Sequence, residues 1–433
     1  MEIYEKKLVE LSNGEKYAFI ETGKGAPLLL IHGNMSSGVH FSPILPALSE
    51  KFHCYAPDLR GFGDSSYNKP FKSLKELADD VKLFADRMGI KEAYVIGWST
   101  GGGVALELAA AYPDFVKAIF SIEGASHKGY PIFRKDEKGM PIVGSLYSSP
   151  DEMGEDPVQV KPVSLAFAAK NFQATNALWN AAIYVVNKPS ERDNEIFINE
   201  TMKQVCLNEL DWALANINMS DSPNFYQNGD NTIKDVVCPC AFTSGELDMV
   251  VPRYMVMENV NAVKNSKLLT YEKCGHSPLV DCPERLIKDI TEFLEKRLLF
   301  DAVAKILTLA STSHTLFLSE GGFYTITFLV DKQLRRMSIY NPERLVQKRK
   351  ILLRILDTFQ ISSASRFGLK QGVEDENFRD LEDSYQYQAA INCGADILLT
   401  INVKDFVGVS DNKRIKIMTP QSFVDEFLSN TPS

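Results

Sequence analysis

The most constraining stretch of this 433-residue chain is Gly97-Trp98-Ser99-Thr100-Gly101. It stands directly behind the apolar run Ala93-Tyr94-Val95-Ile96 and ahead of the helix former Gly103-Val104-Ala105-Leu106-Glu107-Leu108-Ala109-Ala110. The pattern predicts a buried strand, a strained turn and a helix, in that order. The two glycines let the backbone reverse without a Cβ clash, so the serine hydroxyl stands alone above the sheet edge. Ser99 is the candidate nucleophile. The competing reading of Ser99 is an ordinary helix N-cap, and the strand and helix on either side favour the nucleophile.

A serine hydroxyl needs a base to take its proton and a carboxylate to fix the tautomer of that base. Three of the six histidines lie beyond Ser99, and His276 is the best placed: it follows the strand-like Lys267-Leu268-Leu269-Thr270-Tyr271 in the turn Cys274-Gly275-His276-Ser277-Pro278. The acid is expected at a strand end, and Asp248 closes the run Cys240-Ala241-Phe242-Thr243-Ser244-Gly245-Glu246-Leu247-Asp248. Glu246 and Glu123 stay open as alternatives, Glu123 because it follows the strand Ala118-Ile119-Phe120-Ser121-Ile122. The oxyanion formed by attack on a carbonyl needs two backbone N–H groups. One is assigned to Thr100. The other is assigned to Asn34 in His32-Gly33-Asn34-Met35, after the buried parallel strand Ala26-Pro27-Leu28-Leu29-Leu30-Ile31. His32 is read as a brace for that loop.

Over residues 1–297 this collection resembles the α/β-hydrolase superfamily, whose turn after the second core strand is matched by Asp58-Leu59-Arg60-Gly61-Phe62-Gly63-Asp64-Ser65. Within it the chain is similar to intracellular poly(3-hydroxybutyrate) depolymerases of Bacillus type. The shared wording is His32-Gly33-Asn34-Met35-Ser36-Ser37, Gly97-Trp98-Ser99-Thr100-Gly101-Gly102-Gly103-Val104-Ala105, Lys128-Gly129-Tyr130-Pro131 and Asp156-Pro157-Val158-Gln159-Val160. The resemblance implies a serine hydrolase acting on short hydroxyacyl esters or oligomers of that polymer, with no cofactor. A lactone or C–C bond hydrolase of the same fold is the alternative.

A chain of this length is expected to hold more than one domain. A core is expected over 1–125 and 233–297. An inserted, mostly helical cap is expected over 126–232, with Tyr130, Phe133, Phe167, Trp179 and Trp212 as candidate pocket residues. The charged start Met1-Glu2-Ile3-Tyr4-Glu5-Lys6-Lys7 and the lack of an apolar stretch near 18 residues predict a cytoplasmic protein without a membrane span. Seven cysteines, an odd number, fit reduced thiols, and Cys238 and Cys240 alone do not make a zinc site. A net charge of −9 disfavours nonspecific nucleic-acid binding.

Residues 298–433 read as a second α/β unit with strands at Thr315-Leu316-Phe317-Leu318-Ser319, Ala395-Asp396-Ile397-Leu398-Leu399-Thr400 and Ile415-Lys416-Ile417-Met418. The runs Asp380-Leu381-Glu382-Asp383-Ser384-Tyr385-Gln386-Tyr387, Gly394-Ala395-Asp396, Thr400-Ile401-Asn402-Val403-Lys404-Asp405-Phe406 and Thr419-Pro420 resemble the C-terminal half of PIN domains, which are metal-dependent ribonucleases. The resemblance implies acidic positions at Glu320, Asp383 and Asp405. Asn402 stands where many relatives carry an acid, and the first, central strand with its aspartate has no counterpart. A degenerate scaffold without a metal site is therefore expected, in which the strands at Thr315–Ser319 and Asp396–Thr400 either pair directly or leave a split sheet. An RNase or an RNA- or partner-binding module is the function of another class. Its one supporting feature is the basic cluster Lys348-Arg349-Lys350 near Arg344 and Arg354.

Overall fold

A computed structural model of the chain describes residues 1–336, 339, 342–378, 380–409 and 415–428. The chain forms two compact units, Met1–Glu295 and Lys296–Ser433. None of the described helices is long and apolar enough to cross a membrane.

The first unit is built on eight strands: β1 (Lys7–Glu10), β2 (Lys16–Thr22), β3 (Ala26–Ile31), β4 (Phe52–Pro57), β5 (Ala93–Trp98), β6 (Val116–Ile122), β7 (Cys240–Gly245) and β8 (Ser266–Tyr271). They lie in the order β1-β2-β4-β3-β5-β6-β7-β8. The pairs β1/β2 and β2/β4 are antiparallel, and every later pair is parallel. Every residue of β5 and β7 is buried. Such strands are covered on both faces, so β5 reads as a continuous apolar run instead of an alternating one, whereas β7 carries the buried polar pair Thr243-Ser244 near its end. The short α1 (Leu45–Ser49) is followed by α2 (Leu74–Arg87) and α3 (Thr100–Ala111). Helix α2 is capped by Ser73 and turns Leu74, Leu77, Val81 and Phe84 inward at helical spacing. Helix α3 instead buries most of its length, which explains its Gly- and Ala-rich composition. The same apolar cluster takes in Phe84, Val95, Val104 and Phe242.

Between β6 and β7 the chain inserts α4 (Pro150–Gly154), α5 (Lys161–Ala168), α6 (Phe172–Ala182), α7 (Glu191–Thr201) and α8 (Leu207–Asn216). This insertion has an apolar cluster of its own, made by Ile132, Tyr147, Met153, Val160, Leu207 and Ala215. The buried Asp156 carboxyl ties it together, accepting from Lys135 Nζ, Tyr147 Oη and the Val158 and Gln159 N–H groups. The unit continues with α9 (Arg253–Ala262), α10 (Pro278–Asp281) and α11 (Pro283–Ser313), whose later turns belong to the second unit.

In the second unit β9 (Phe317–Ser319) pairs in parallel with β10 (Gln360–Ser362), and β11 (Ile397–Leu399) pairs in parallel with β12 (Lys416–Met418). The sheet is thus split, and β9 and β11 do not pair directly. Each strand is three residues long, and the apolar side chains gather into two small clusters, one around Ile306, Met418 and Phe423 and one around Phe378, Tyr387 and Phe406. The helices are α12 (Glu320–Arg336), α13 (Glu343–Thr358), α14 (Arg366–Glu374), α15 (Leu381–Asn392) and α16 (Pro420–Phe423). Helix α13, which carries the basic cluster, has no buried residue, and its Arg344 and Lys348 lie 3.4 and 3.8 Å from Asp331. It is a solvated, partly neutralised face.

Candidate active site

Ser99 sits between the last residue of β5 and the first of α3 with φ 55° and ψ −121°. A side chain in this region costs about 1–3 kcal/mol and persists only where its surroundings enforce it. Here Ile122 O holds the Ser99 N–H at 2.9 Å, and the serine side chain makes no capping bond. Ser99 thus stands at the N-cap position of α3 without capping it through its side chain. The motif glycines are required by packing: an added Cβ would lie 2.3 Å from Gly101 O at position 97, and 2.1 Å from Ile31 O at position 101.

His276 approaches from the loop after β8, and Trp98 Nε1 donates to its carbonyl at 2.9 Å. The tryptophan beside the serine thus fixes the loop of the histidine. His276 Nε2 lies 2.9 Å from Ser99 Oγ, and its Nδ1 lies 2.8 Å from Asp248 Oδ2. The other oxygen of Asp248 accepts the Val250 and Val251 N–H groups at 2.7 and 2.9 Å. Burial works to raise the Asp248 carboxyl, but the His276 charge and bond and the two N–H groups hold it below the usual range. Glu246 points away, exposed beside Lys273 N. Glu123 lies next to Asp248 but makes no bond to His276; its oxygens accept from Thr243 Oγ1 and Gly245 N, both at 2.8 Å.

The loop after β3 is pressed against the serine: a Cβ on Gly33 would stand 2.8 Å from Ser99 Cβ. Among the described residues the N–H groups of Asn34 and Thr100 carry no hydrogen bond, so both remain available as donors. His32 braces this loop, with Nδ1 2.8 Å from Gly33 O and Nε2 accepting Leu59 N at 2.9 Å. Burial lowers His32 to about 4, which keeps that acceptor nitrogen free of a proton at neutral pH.

The insertion completes the surroundings. Asn34 Oδ1 accepts Met35 N and Gln204 Nε2 at 2.9 Å, and Asn34 Nδ2 donates to Asp211 Oδ1 at 3.1 Å. Thr201 Oγ1 donates to Met35 O at 2.6 Å. Trp179 packs against Trp98 and His40. The Tyr130 hydroxyl is pushed up to about 12 by burial and by the charges of Asp211 and Asp248. Phe133 packs on Phe225, Trp212 on Tyr226, and Phe167 is buried on α5. Of the five aromatics singled out in the sequence, Tyr130 and Trp179 come to the site. Asp211 on α8 and Gln204 in the loop between α7 and α8 were missed, because nothing in the sequence of the insertion marks them.

One further cluster lies near this loop. Lys6 Nζ is 2.7 Å from Asp58, 2.8 Å from Asp64 and 2.6 Å from Glu200. These three acids are the one group of potential metal ligands among the described residues, and an ammonium stands among them.

A sequence match to the family described as alpha/beta hydrolase fold covers residues 26–283, more than half of the chain. The chain belongs to that family. Among relatives of this alpha/beta hydrolase fold protein, a soluble epoxide hydrolase of Corynebacterium sp. is 35% identical over 111 residues, 26% of this chain and 39% of that protein. The bifunctional epoxide hydrolase 2 of Sus scrofa is 24% identical over 307 residues, 66% of this chain and 54% of that protein. The chain thus spans about two fifths to half the length of these relatives. An esterase from Exiguobacterium antarcticum superposes with a TM-score of 0.53 at 16% identity, covering 67% of this chain and all of the esterase.

The acidic positions of the second unit do not assemble in the same way. Burial and then the charges of Asp380, Asp405 and Glu382 raise the Asp383 carboxyl. Asn402 is exposed, its N–H on Thr400 Oγ1, and Glu320 pairs with Tyr324. Among the described residues no three of these positions form a ligand group.

Asp211 in the hydrolase unit has a pH consequence. Burial, then the charge of Asp156, raises its carboxyl to about 7, against the smaller opposing effect of the Asn34 bond. Above that pH an anion forms beside the loop that carries Asn34 N–H and opposes any negative charge developing there. Relative to the parent, Asp211→Asn is expected to gain in kcat/KM as pH rises from 6 to 8, by roughly a factor of ten at the alkaline end. The check is a pair of pH–rate profiles. A group raised on folding contributes stability below its unfolded value near 4 that is lost as pH rises through about 7, so the melting temperature of the variant should rise relative to the parent from pH 5 to pH 8.

Proposed function

We propose that this unit is a serine hydrolase that cleaves carboxylic esters through an acyl-enzyme. The observation that carries the reading is the unbroken hydrogen-bonded chain from a strained, cap-free Ser99 through His276 to an anionic Asp248. His276 Nε2 takes the Ser99 proton as Oγ attacks the carbonyl carbon. The N–H groups of Thr100 and Asn34 stabilise the oxyanion by about 3–4 kcal/mol each. The imidazolium then protonates the leaving alcohol, and a water activated by His276 releases the acid.

Epoxide opening, the activity in the names of the two relatives, fits this nucleophile poorly. Attack of a serine oxygen on an epoxide carbon makes an ether, which water does not cleave under these conditions, whereas attack on an ester makes an ester that turns over. The aromatic and aliphatic insertion at the site favours short acyl groups, because each further methylene must fit a fixed volume. We infer short hydroxyacyl esters or oligomers of poly(3-hydroxybutyrate) as substrates, supported by the shared motif wording. The insertion acts as a cap that excludes water.

The test is a panel of p-nitrophenyl esters of increasing acyl length, with hydroxybutyrate oligomers and small lactones, beside labelling by a fluorophosphonate. Covalent labelling at Ser99 and a preference for two to four acyl carbons are expected. Turnover of lactones alone would move the protein to another reaction of the family. Absence of labelling would end the serine-nucleophile reading.

A further inference from the structure

Glu123 is a fully buried carboxyl beside the Ser99–His276–Asp248 chain for which the hydrolysis scheme has no task. It follows β6 with φ 44°, a left-handed conformation for a side-chain-bearing residue. Its N–H donates to Thr243 Oγ1 at 3.1 Å, that hydroxyl donates back to Glu123 Oε1 at 2.8 Å, and Gly245 N donates to Oε2 at 2.8 Å. Thr243 and Gly245 belong to the end of β7, the strand whose continuation carries Asp248. Gly245, whose N–H holds Glu123 Oε2, also accepts the Asp248 N–H on its carbonyl at 3.3 Å, so one residue of the β7 end ties the two buried acids together, and their side chains interact.

Two buried carboxyls in contact cannot both be ionised, so they share one proton. The donors decide where it resides. Asp248 receives two backbone N–H groups and the His276 ring, which becomes cationic during the reaction. Glu123 receives one N–H and one hydroxyl, and among the described residues no cation bonds to it. The charge is therefore better supported on Asp248, and the proton belongs to Glu123. Burial, followed by the Asp248 charge, pushes the Glu123 carboxyl far above the usual range, in agreement with the donor count.

We propose that Glu123 is a positioning residue: it stays neutral throughout the reaction and donates its O–H to Asp248, holding that carboxylate in the orientation that His276 requires. With this bond Asp248 accepts four donors, the full capacity of a carboxylate. The proposal rests on the serine-hydrolase reading given above.

Glu123→Gln separates a neutral donor from an anion. The amide keeps an N–H for Asp248 and a carbonyl oxygen for Gly245 N, and the Thr243 hydroxyl can reverse its role. Ester hydrolysis in this variant is expected to stay within about threefold of the parent, with an unchanged pH profile. Glu123→Leu, which removes the donor, is expected to lower kcat by about tenfold or more with little change in KM. A loss of about tenfold or more in Glu123→Gln would mean that the charge resides on Glu123 and would overturn the proposal, as would an unaffected Glu123→Leu.

Melting supplies a readout independent of turnover. A carboxyl raised on folding contributes stability below its unfolded value near 4.3 and loses it as pH rises, whereas glutamine does not titrate. The melting temperature of Glu123→Gln should therefore rise relative to the parent from pH 5 to pH 8; a constant or falling difference counts against a neutral Glu123. If the parent protein is labelled by a fluorophosphonate and these outcomes fail, only the role of Glu123 is lost. If the parent is not labelled, the serine-hydrolase reading itself is lost.

Discussion

Ser99→Ala is expected to abolish ester turnover, lowering kcat by about four to six orders of magnitude, and His276→Ala is expected to match it. The two side chains act as one unit: the hydroxyl is inert without the base 2.9 Å away, and the base has nothing to deprotonate without the hydroxyl. The double variant should therefore lose little more than either single one. Melting temperature should not fall in Ser99→Ala, because the side chain makes no capping bond and its removal leaves the backbone contact to Ile122 intact. Single-turnover kinetics with a p-nitrophenyl ester, read beside a thermal melt, make the check. A Ser99→Ala protein that retained most of its turnover would place the nucleophile elsewhere.

Asp248→Asn is expected to have the second largest effect, a loss of kcat of about two to four orders of magnitude with little change in KM. The reason lies in the direction of one hydrogen bond. Asp248 Oδ2 accepts from His276 Nδ1, so the lone pair at Nε2 faces Ser99 Oγ. An asparagine whose amide turns toward the ring donates to Nδ1, shifts the proton to Nε2 and leaves Ser99 facing a donor instead of a base. The oxygen accepting Val250 and Val251 N–H favours that orientation, because an amide carbonyl can hold those bonds and the amide nitrogen cannot. Neutron or NMR assignment of the His276 tautomer in the variant checks the cause, and a rate profile across pH checks the effect.

Most of the candidate site was legible because its parts are local. The glycines at 97 and 101 announce a turn in which no Cβ fits, and the structure shows the two carbonyls that a Cβ would strike. The loop Gly33-Asn34 follows an apolar strand directly and ends against the serine. The choice among Asp248, Glu246 and Glu123 was less legible, since all three lie at or just beyond the ends of adjacent strands and a sequence does not reveal which oxygen meets Nδ1. Asp211 was not legible: it is brought to Asn34 across 177 positions by the packing of the insertion, and a single acidic residue in an amphipathic helix normally faces water. The split sheet of the second unit was legible only as one of two outcomes. Strands of three residues are too short to show alternation, and β10, Gln360–Ser362, carries no turn signal or apolar run that marks it beforehand.

The ammonium of Lys6 among Asp58, Asp64 and Glu200 gives the molecule an internal counter-ion. Glu200 lies in the last turn of α7 of the insertion and also accepts from Ser37 Oγ in the loop beside Ser99, so one cation latches the N-terminal segment, the insertion and that loop together. Burial alone would raise the Asp64 and Glu200 carboxyls, but the neighbouring Lys6 and Lys203 hold both below the usual range. Their contribution is therefore present above the usual carboxylate values and is lost as pH falls through their folded values. Mobile ions screen a half-buried latch of this kind weakly. Acid, and not salt, is the condition that loosens the insertion from the loop after β3.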